Sequence, residues 1–71
     1  MNILDQVAEK SYSFRSARDT YLQQLGKSSE AWARGYALGV LLVLWEMQII
    51  TEAESREASD ALIHLEKGGE K

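Results

Sequence analysis

The chain has 71 residues, no cysteine, one histidine and a net charge of −3. A chain of this length forms at most one domain with a small core, and it lacks the cysteines and histidines that stabilise such cores through disulfides or a metal ion. The negative charge also disfavours contact with the phosphate backbone of nucleic acid. Association with another protein chain is therefore the expected source of additional stability.

The sequence predicts an all-α fold, because the chain contains no proline and its apolar residues do not alternate as they do in strands. From residue 2 to 25 the apolar residues recur at steps of three and four, which predicts one amphipathic helix. Asn2 is suited to cap its start, and Gly26 to end it in the left-handed conformation. Serines and aromatic residues lower helix propensity in residues 11–16, where a kink or a later helix start is compatible with the pattern.

A central helix is predicted from residue 29 to 49, after a short link in which Ser28 or Ser29 supplies the N-cap and Glu30 lies in the first turn. Because a surface helix carries a single apolar stripe, a helix that is apolar over most of its circumference needs cover on more than one side. Tyr36 and Met47 are interpreted as core residues on the main stripe. Two apolar faces are distinguished: Trp32, Tyr36, Gly39, Val40, Val43, Met47 and Ile50 on one, and Leu38, Leu41, Trp45 and Ile49 on the other.

The third predicted helix begins with the clearest local signal in the chain. Residues 51–54, Thr-Glu-Ala-Glu, have the spacing of a capping box, in which the threonine and the second glutamate each bond the other's backbone N–H. The helix is expected to extend from residue 52 to about residue 67, with residues 68–71 as a frayed tail. Its apolar side consists of Ala58, Ala61, Leu62 and Leu65.

Together these elements predict one all-α domain over residues 1–71, with an antiparallel helical hairpin and a short third helix assembled as a homodimeric helical bundle. Glycine weakens a helix interior unless some contact offsets the loss. Gly35 and Gly39 are therefore expected at a close helix crossing, within one chain or between two. Trp45 is the first candidate for an intermolecular contact. The predicted dimer interface consists of Gly35, Gly39, Leu38, Leu41, Leu42, Trp45 and Ile49.

A surface for another protein is predicted on the first helix. Basic and aromatic residues are interleaved there without an acid from Lys10 to Arg18, and aromatic and arginine side chains are common anchors in protein interfaces. The same mixture can bind nucleic acid, and the ordinary interpretation of such a run is a solvated helix face. The predicted partner-binding residues are Tyr12, Phe14, Arg15, Arg18 and Tyr21.

The sequence contains no recognisable catalytic or metal-binding motif. His64 has no second histidine or cysteine at ligand spacing, and no glycine-flanked nucleophile turn accompanies the serines, so neither enzyme activity, nor a metal, nor a cofactor is expected. The uncharged run of residues 35–45 is shorter than the roughly 20 residues that span a bilayer, which disfavours a membrane role. The first residues do not form a signal peptide, and the lack of cysteine suits the cytoplasm.

The run from Gly35-Tyr36 through Gly39-Val40 to residues 50–54, Ile-Thr-Glu-Ala-Glu, resembles short helical proteins of bacteriophages and bacterial mobile elements, over residues 35–62. Such proteins often bind and disable a host protein, for example a defence nuclease, a quorum-sensing receptor or a pilus motor. The resemblance implies a protein–protein interaction module that inhibits or modulates a host bacterial protein. Two alternatives are a dimeric DNA-binding regulator or antitoxin that uses the basic face of the first helix, and a peripheral membrane peptide.

Overall fold

The computed structural model describes residues 2–65. This part of the chain forms four α-helices and no strand: α1 (Ile3–Lys10), α2 (Tyr12–Gln24), α3 (Glu30–Glu46) and α4 (Glu52–Ile63). The predicted all-α class is confirmed.

The four helices form a closed ring of neighbours. α1 packs against α2, α2 against α3, α3 against α4 and α4 against α1, while the described residues show no such packing between α1 and α3 or between α2 and α4. All four helices contribute to one core, in which the largest fully buried side chains are Tyr21, Phe14, Leu41, Leu62 and Val7. The apolar side predicted for the third helix is confirmed, because Ala58 and Leu62 are buried and Ala61 and Leu65 pack against the core.

The helix predicted from residue 2 to 25 is not continuous: it breaks at Ser11, within residues 11–16, where the sequence left a kink or a later helix start open. This residue adopts an extended conformation, with φ −148° and ψ 116°, between α1 and α2. Its hydroxyl oxygen accepts a hydrogen bond from the backbone N–H of Phe14 at 3.1 Å. Ser11 therefore caps the start of α2, and the break lies at the first residue of the serine-rich stretch whose helix propensity is low.

Of the helix caps predicted at the start of α1, after α2 and at the start of α3, the first two are formed and the third is not. The Asn2 side chain accepts from the backbone N–H of Asp5 at 2.9 Å, as expected for an N-cap. Gly26 has a φ of 80° and takes the predicted left-handed conformation. The serine cap of the central helix is not formed, since Ser29 makes no side-chain cap hydrogen bond. The Glu30 carboxylate instead accepts from the backbone N–H of Gly26 at 2.8 Å and so links the two ends of the turn.

The turn from α3 to α4 is closely hydrogen-bonded. α3 ends at Glu46 rather than at residue 49, because Gln48 enters the left-handed region with a φ of 61°. The N–H of Ile49 then donates to the carbonyl of Leu44 at 2.9 Å, which is the pattern of a Schellman C-cap. The predicted capping box of Thr51 and Glu54 is confirmed.

The end of the third predicted helix also differs. α4 ends at Ile63, four residues before the predicted residue 67, and the N–H of His64 bonds back to the carbonyl of Asp60. The tail predicted at residues 68–71 lies outside the described residues. None of the helices within residues 2–65 combines the length and the apolar content needed to cross a bilayer.

Candidate protein interaction surface

The inward side of α3 is lined with alanines in its first half and with leucines in its second half. Ala33, Ala37 and Leu41 are fully buried, and Leu44 is 5% exposed. These residues recur at three- and four-residue steps and form the stripe that α2 and α4 cover. Leu41 belongs to the predicted dimer interface, and its complete burial within one chain removes it from that set.

The outward side of α3 carries the larger apolar residues. Tyr36 is 45% exposed and Met47 is 63% exposed, so the prediction that both are core residues is wrong. Most of the first apolar face of the helical wheel lies outside the core, because only Ile50 is buried and Val40 packs against the core. The second face is divided: Leu41 is buried and Leu38 packs against the core, whereas Trp45 and Ile49 are exposed. Seven of the ten large apolar side chains exposed in the described chain lie in or just after α3: Trp32, Tyr36, Leu42, Val43, Trp45, Met47 and Ile49.

One part of this outward side forms an open apolar groove of about 680 Å³. We call it the groove side and define it by the lining residues Gly35, Tyr36, Gly39, Val43 and Met47 together with Trp32, which stacks on Tyr36. The rings of Trp32 and Tyr36 stack with their centroids 5.7 Å apart and form a ridge beside the glycines. A Cβ atom added at Gly35 or Gly39 would meet no other atom within 4 Å. The glycines therefore do not mark a close helix crossing within the chain. Of the two crossings that the sequence predicts for Gly35 and Gly39, only the one between two chains stays a prediction.

A second part of the outward side is formed by Leu42, Trp45 and Ile49, which we call the Trp45 side; Ile49 also lines the edge of the groove. These residues are 49%, 40% and 39% exposed, in that order. Leu38, which was predicted in the same interface, is only partly buried and packs against the core. The predicted dimer interface thus divides into three parts: the glycines of the groove side, the Trp45 side, and the inward residues Leu38 and Leu41.

The partner-binding face predicted on the first helix does not form a single surface. Phe14 and Tyr21 are fully buried in the core, so their side chains are unavailable to a partner, and this corrects the prediction for both. Tyr12 is 80% exposed, and Arg15 is exposed as well. The side chain of Arg18 is only 15% exposed because it is held between two carboxylates. Of the five predicted residues, Tyr12 and Arg15 remain freely accessible.

The basic run of the first helix is largely neutralised in three dimensions. The guanidinium of Arg18 lies 2.6 Å from an oxygen of Asp5 and 3.1 Å from one of Asp19. The ammonium of Lys10 lies 3.0 Å from Glu54. Within residues 2–65 Arg15 is the one cation of this run without an ion pair. A run without acids in the sequence is therefore not a basic patch on the fold, which weakens the DNA-binding alternative.

The polar side chains of α4 make local contacts. The Nδ1 atom of His64 lies 2.8 Å from the carbonyl oxygen of Asp60, one turn earlier. Within residues 2–65 no three His, Asp or Glu side chains come together as metal ligands would. The pKa of Glu54 is lowered from its ordinary value of 4.5, chiefly by the hydrogen bond from the backbone N–H of Thr51 and then by the one from Lys10. This arrangement fastens the start of α4 to the end of α1.

The exposure of the groove side was not predicted from the sequence, although the alanine spacing carried a signal. Ala33 and Ala37 stand one turn apart and continue into Leu41, and small residues at this spacing let neighbouring helices approach closely. Had that row been assigned to the core, Trp32 and Tyr36 would have been placed outside it. Comparison of the chain with protein-family models, with curated proteins and with solved structures found no match.

Proposed function

We propose that this protein is a small, non-enzymatic protein–protein interaction module that acts by burying the outward side of α3 against other protein molecules. The observation that carries the proposal is the set of seven large apolar side chains left exposed in and after α3. Exposed apolar patches of more than a few hundred Å² are uncommon on monomeric proteins and usually mark a contact surface. Aromatic residues and methionine are enriched in such surfaces.

The outward side of α3 has two parts that could each contact a protein. The groove side carries the glycines and the stacked rings of Trp32 and Tyr36, and the Trp45 side carries the exposed Leu42 and Trp45. We propose that the chain forms a homodimer of helical hairpins through one side and binds a target protein through the other. From the resemblance to proteins of phages and mobile elements, the proposed target is a host bacterial protein, which the module inhibits or modulates stoichiometrically.

The test of target binding is affinity capture from bacterial lysate with the Trp45 side altered. The variant is Leu42→Ser combined with Trp45→Ser, which replaces two exposed apolar side chains with polar ones. The matched control is Ile63→Ser, which removes an apolar side chain that is 55% exposed on α4. We expect the unaltered chain and the control to retain the same protein in stoichiometric amount, and the double variant to lose it.

Two outcomes would count against the proposal. If the tagged, unaltered chain captures only the proteins that the tag captures by itself, and if the chain also remains monomeric, the outward side of α3 has no protein partner. If the double variant retains the target as well as the control does, the Trp45 side is not the target surface. Circular dichroism of each variant separates loss of binding from loss of fold.

A further inference from the structure

We infer that the groove side of α3 is occupied by α3 of a second copy of this chain, with the two helices antiparallel. This inference rests on the proposed function, since it names the partner of one part of that surface. In the proposed arrangement Tyr36 of each copy faces Gly39 of the other, and Trp32 of each covers Val43 of the other. The contact is reciprocal, as a two-fold symmetric interface requires.

The exposed area suits a dimer of this size. Trp32 and Tyr36 are 66% and 45% exposed. Aromatic side chains bury about 150–250 Å² each, so these two leave roughly 200 Å² open. Val43 is 50% exposed and Met47 is 63% exposed, and together with the exposed backbone of the glycines they add to this area. A standard interface buries about 800 Å² on each partner, and the groove side supplies a part of that area.

The charge distribution favours a second copy over other occupants. None of the described residues that line the groove is charged, whereas the whole chain has a net charge of −3. Two acidic chains associate most readily through a surface that brings no charges together. A helix that lies on a membrane surface instead combines its apolar side with lysines and arginines that attract anionic lipids. The groove side offers no such cations, and it offers none for nucleic acid.

The shape of the groove side determines the relative direction of the two helices. Its amino-terminal half carries the stacked rings of Trp32 and Tyr36. Its carboxyl-terminal half carries Gly39, Val43 and Met47 and has no aromatic ring, and nothing would obstruct a Cβ atom at Gly39. Parallel copies would place the rings of one helix against the rings of the other. Antiparallel copies place the rings of each helix against the half of the other that has none, which lets the two surfaces interlock.

The first test fills the groove with Gly39→Leu. Gly39 is exposed, and a Cβ atom there meets nothing within 4 Å in one chain. Leucine also favours a helix more than glycine does, so we expect the variant to keep its fold. We expect the dissociation constant of the dimer to rise at least a hundredfold, while the midpoint of urea unfolding at low protein concentration stays the same or increases. The matched control is Ala53→Leu, which adds bulk at an exposed position of α4 and is expected to leave the dimer unchanged.

The second test uses the proposed reciprocity. Tyr36→Ala removes the ring and leaves the glycine space open, while Gly39→Leu fills that space and keeps the ring. Each variant alone is expected to be monomeric at concentrations where the unaltered chain is dimeric. When the two variants are mixed, one ring and one open space match again, and the added leucine occupies the volume left by the missing tyrosine. We expect the mixed dimer to bind at least tenfold more tightly than either variant binds itself.

The outcomes separate this inference from the proposed function. If the chain dimerises and Gly39→Leu has no effect, or if mixing restores nothing, the groove geometry is overturned while the module remains an interaction protein. If the chain stays monomeric and still captures a target, or pellets with neutral or anionic lipid vesicles, a second copy is not the occupant. If the chain is monomeric and captures nothing, both proposals fail.

Discussion

The two sides of α3 differ in the size of their residues as well as in their burial. The inward side places Ala33 and Ala37 against the rest of the fold, while the outward side exposes Trp32 and Tyr36 to solvent. A chain of this length gains most from burying its largest side chains, because a small domain has few other sources of stability. The alanines allow close helix packing, and the large outward residues remain exposed. The comparison indicates that the fold uses only one side of α3, and the other is the side that we propose as a contact surface.

The largest expected difference between the two sides comes from the adjacent residues Leu41 and Leu42. Leu41 is fully buried and Leu42 is 49% exposed. We expect Leu41→Ala to lower the free energy of unfolding by about 3 kcal/mol, because it leaves a cavity in the core. Leu42→Ala is expected to change it by less than about 0.5 kcal/mol. Urea unfolding at low protein concentration measures both, and equal losses would break the distinction between the sides.

A smaller effect on stability is expected from a buried polar group in the core, the hydroxyl of Tyr21. The hydroxyl of Tyr21 is buried and makes no hydrogen bond within residues 2–65. Because an unsatisfied buried hydroxyl costs free energy, Tyr21→Phe is expected to stabilise the protein by about 1 kcal/mol. Chemical denaturation of the variant beside the parent measures the change. A loss of similar size would mean that the hydroxyl is hydrogen-bonded in solution.

The turn that carries Met47 and Ile49 provides the next prediction. Gln48 holds a φ of 61° there, a conformation that glycine adopts without strain. Gln48→Gly is expected to raise the free energy of unfolding by about 0.5–1 kcal/mol. The matched control is Gln23→Gly, an exposed position within α2, where glycine is expected to lower stability. Thermal unfolding of both variants is the measurement, and a shift of the same sign in both would contradict the account of this turn.

The smallest expected effect concerns pH and the anchoring of α4, which covers part of the inward side. The pKa of Glu54 is lowered in the folded chain, mainly by the N–H of Thr51 and then by Lys10. Its contribution is therefore complete above its ordinary pKa of 4.5 and is lost as the pH falls through the lower folded value. We expect urea midpoints to fall on acidification, and to fall less for Glu54→Gln. An unchanged pH dependence in the variant would show that this carboxylate is not linked to folding.

Part of the fold follows from short-range chemistry and could be predicted from the sequence. Asn2, Gly26 and the Thr51–Glu54 pair each act on backbone groups within four residues of themselves, so their roles did not depend on the rest of the chain. The cap at Ser11 has the same local character. It was missed because the apolar residues keep a helical spacing on both sides of it.

The orientation of α3 could not be predicted from periodicity. Because apolar residues occupy most of its circumference, the pattern has no single maximum that identifies the buried face. In the fold, the face of α3 that carries Ala33 and Ala37 is buried, because it packs against α2 and α4. The neutralisation of Arg18 by Asp5 was equally hidden, since the two residues are 13 positions apart and meet only when α1 packs against α2.

The central claim is that the outward side of α3 is an interface between two copies of this chain, and the molar mass of the purified chain as a function of concentration tests it most directly. Light scattering or sedimentation equilibrium from low to high micromolar concentration is the measurement. The account predicts a rise from the mass of one chain to that of two, with Gly39→Leu remaining at one. A folded chain that keeps the mass of a single molecule throughout this range would contradict it.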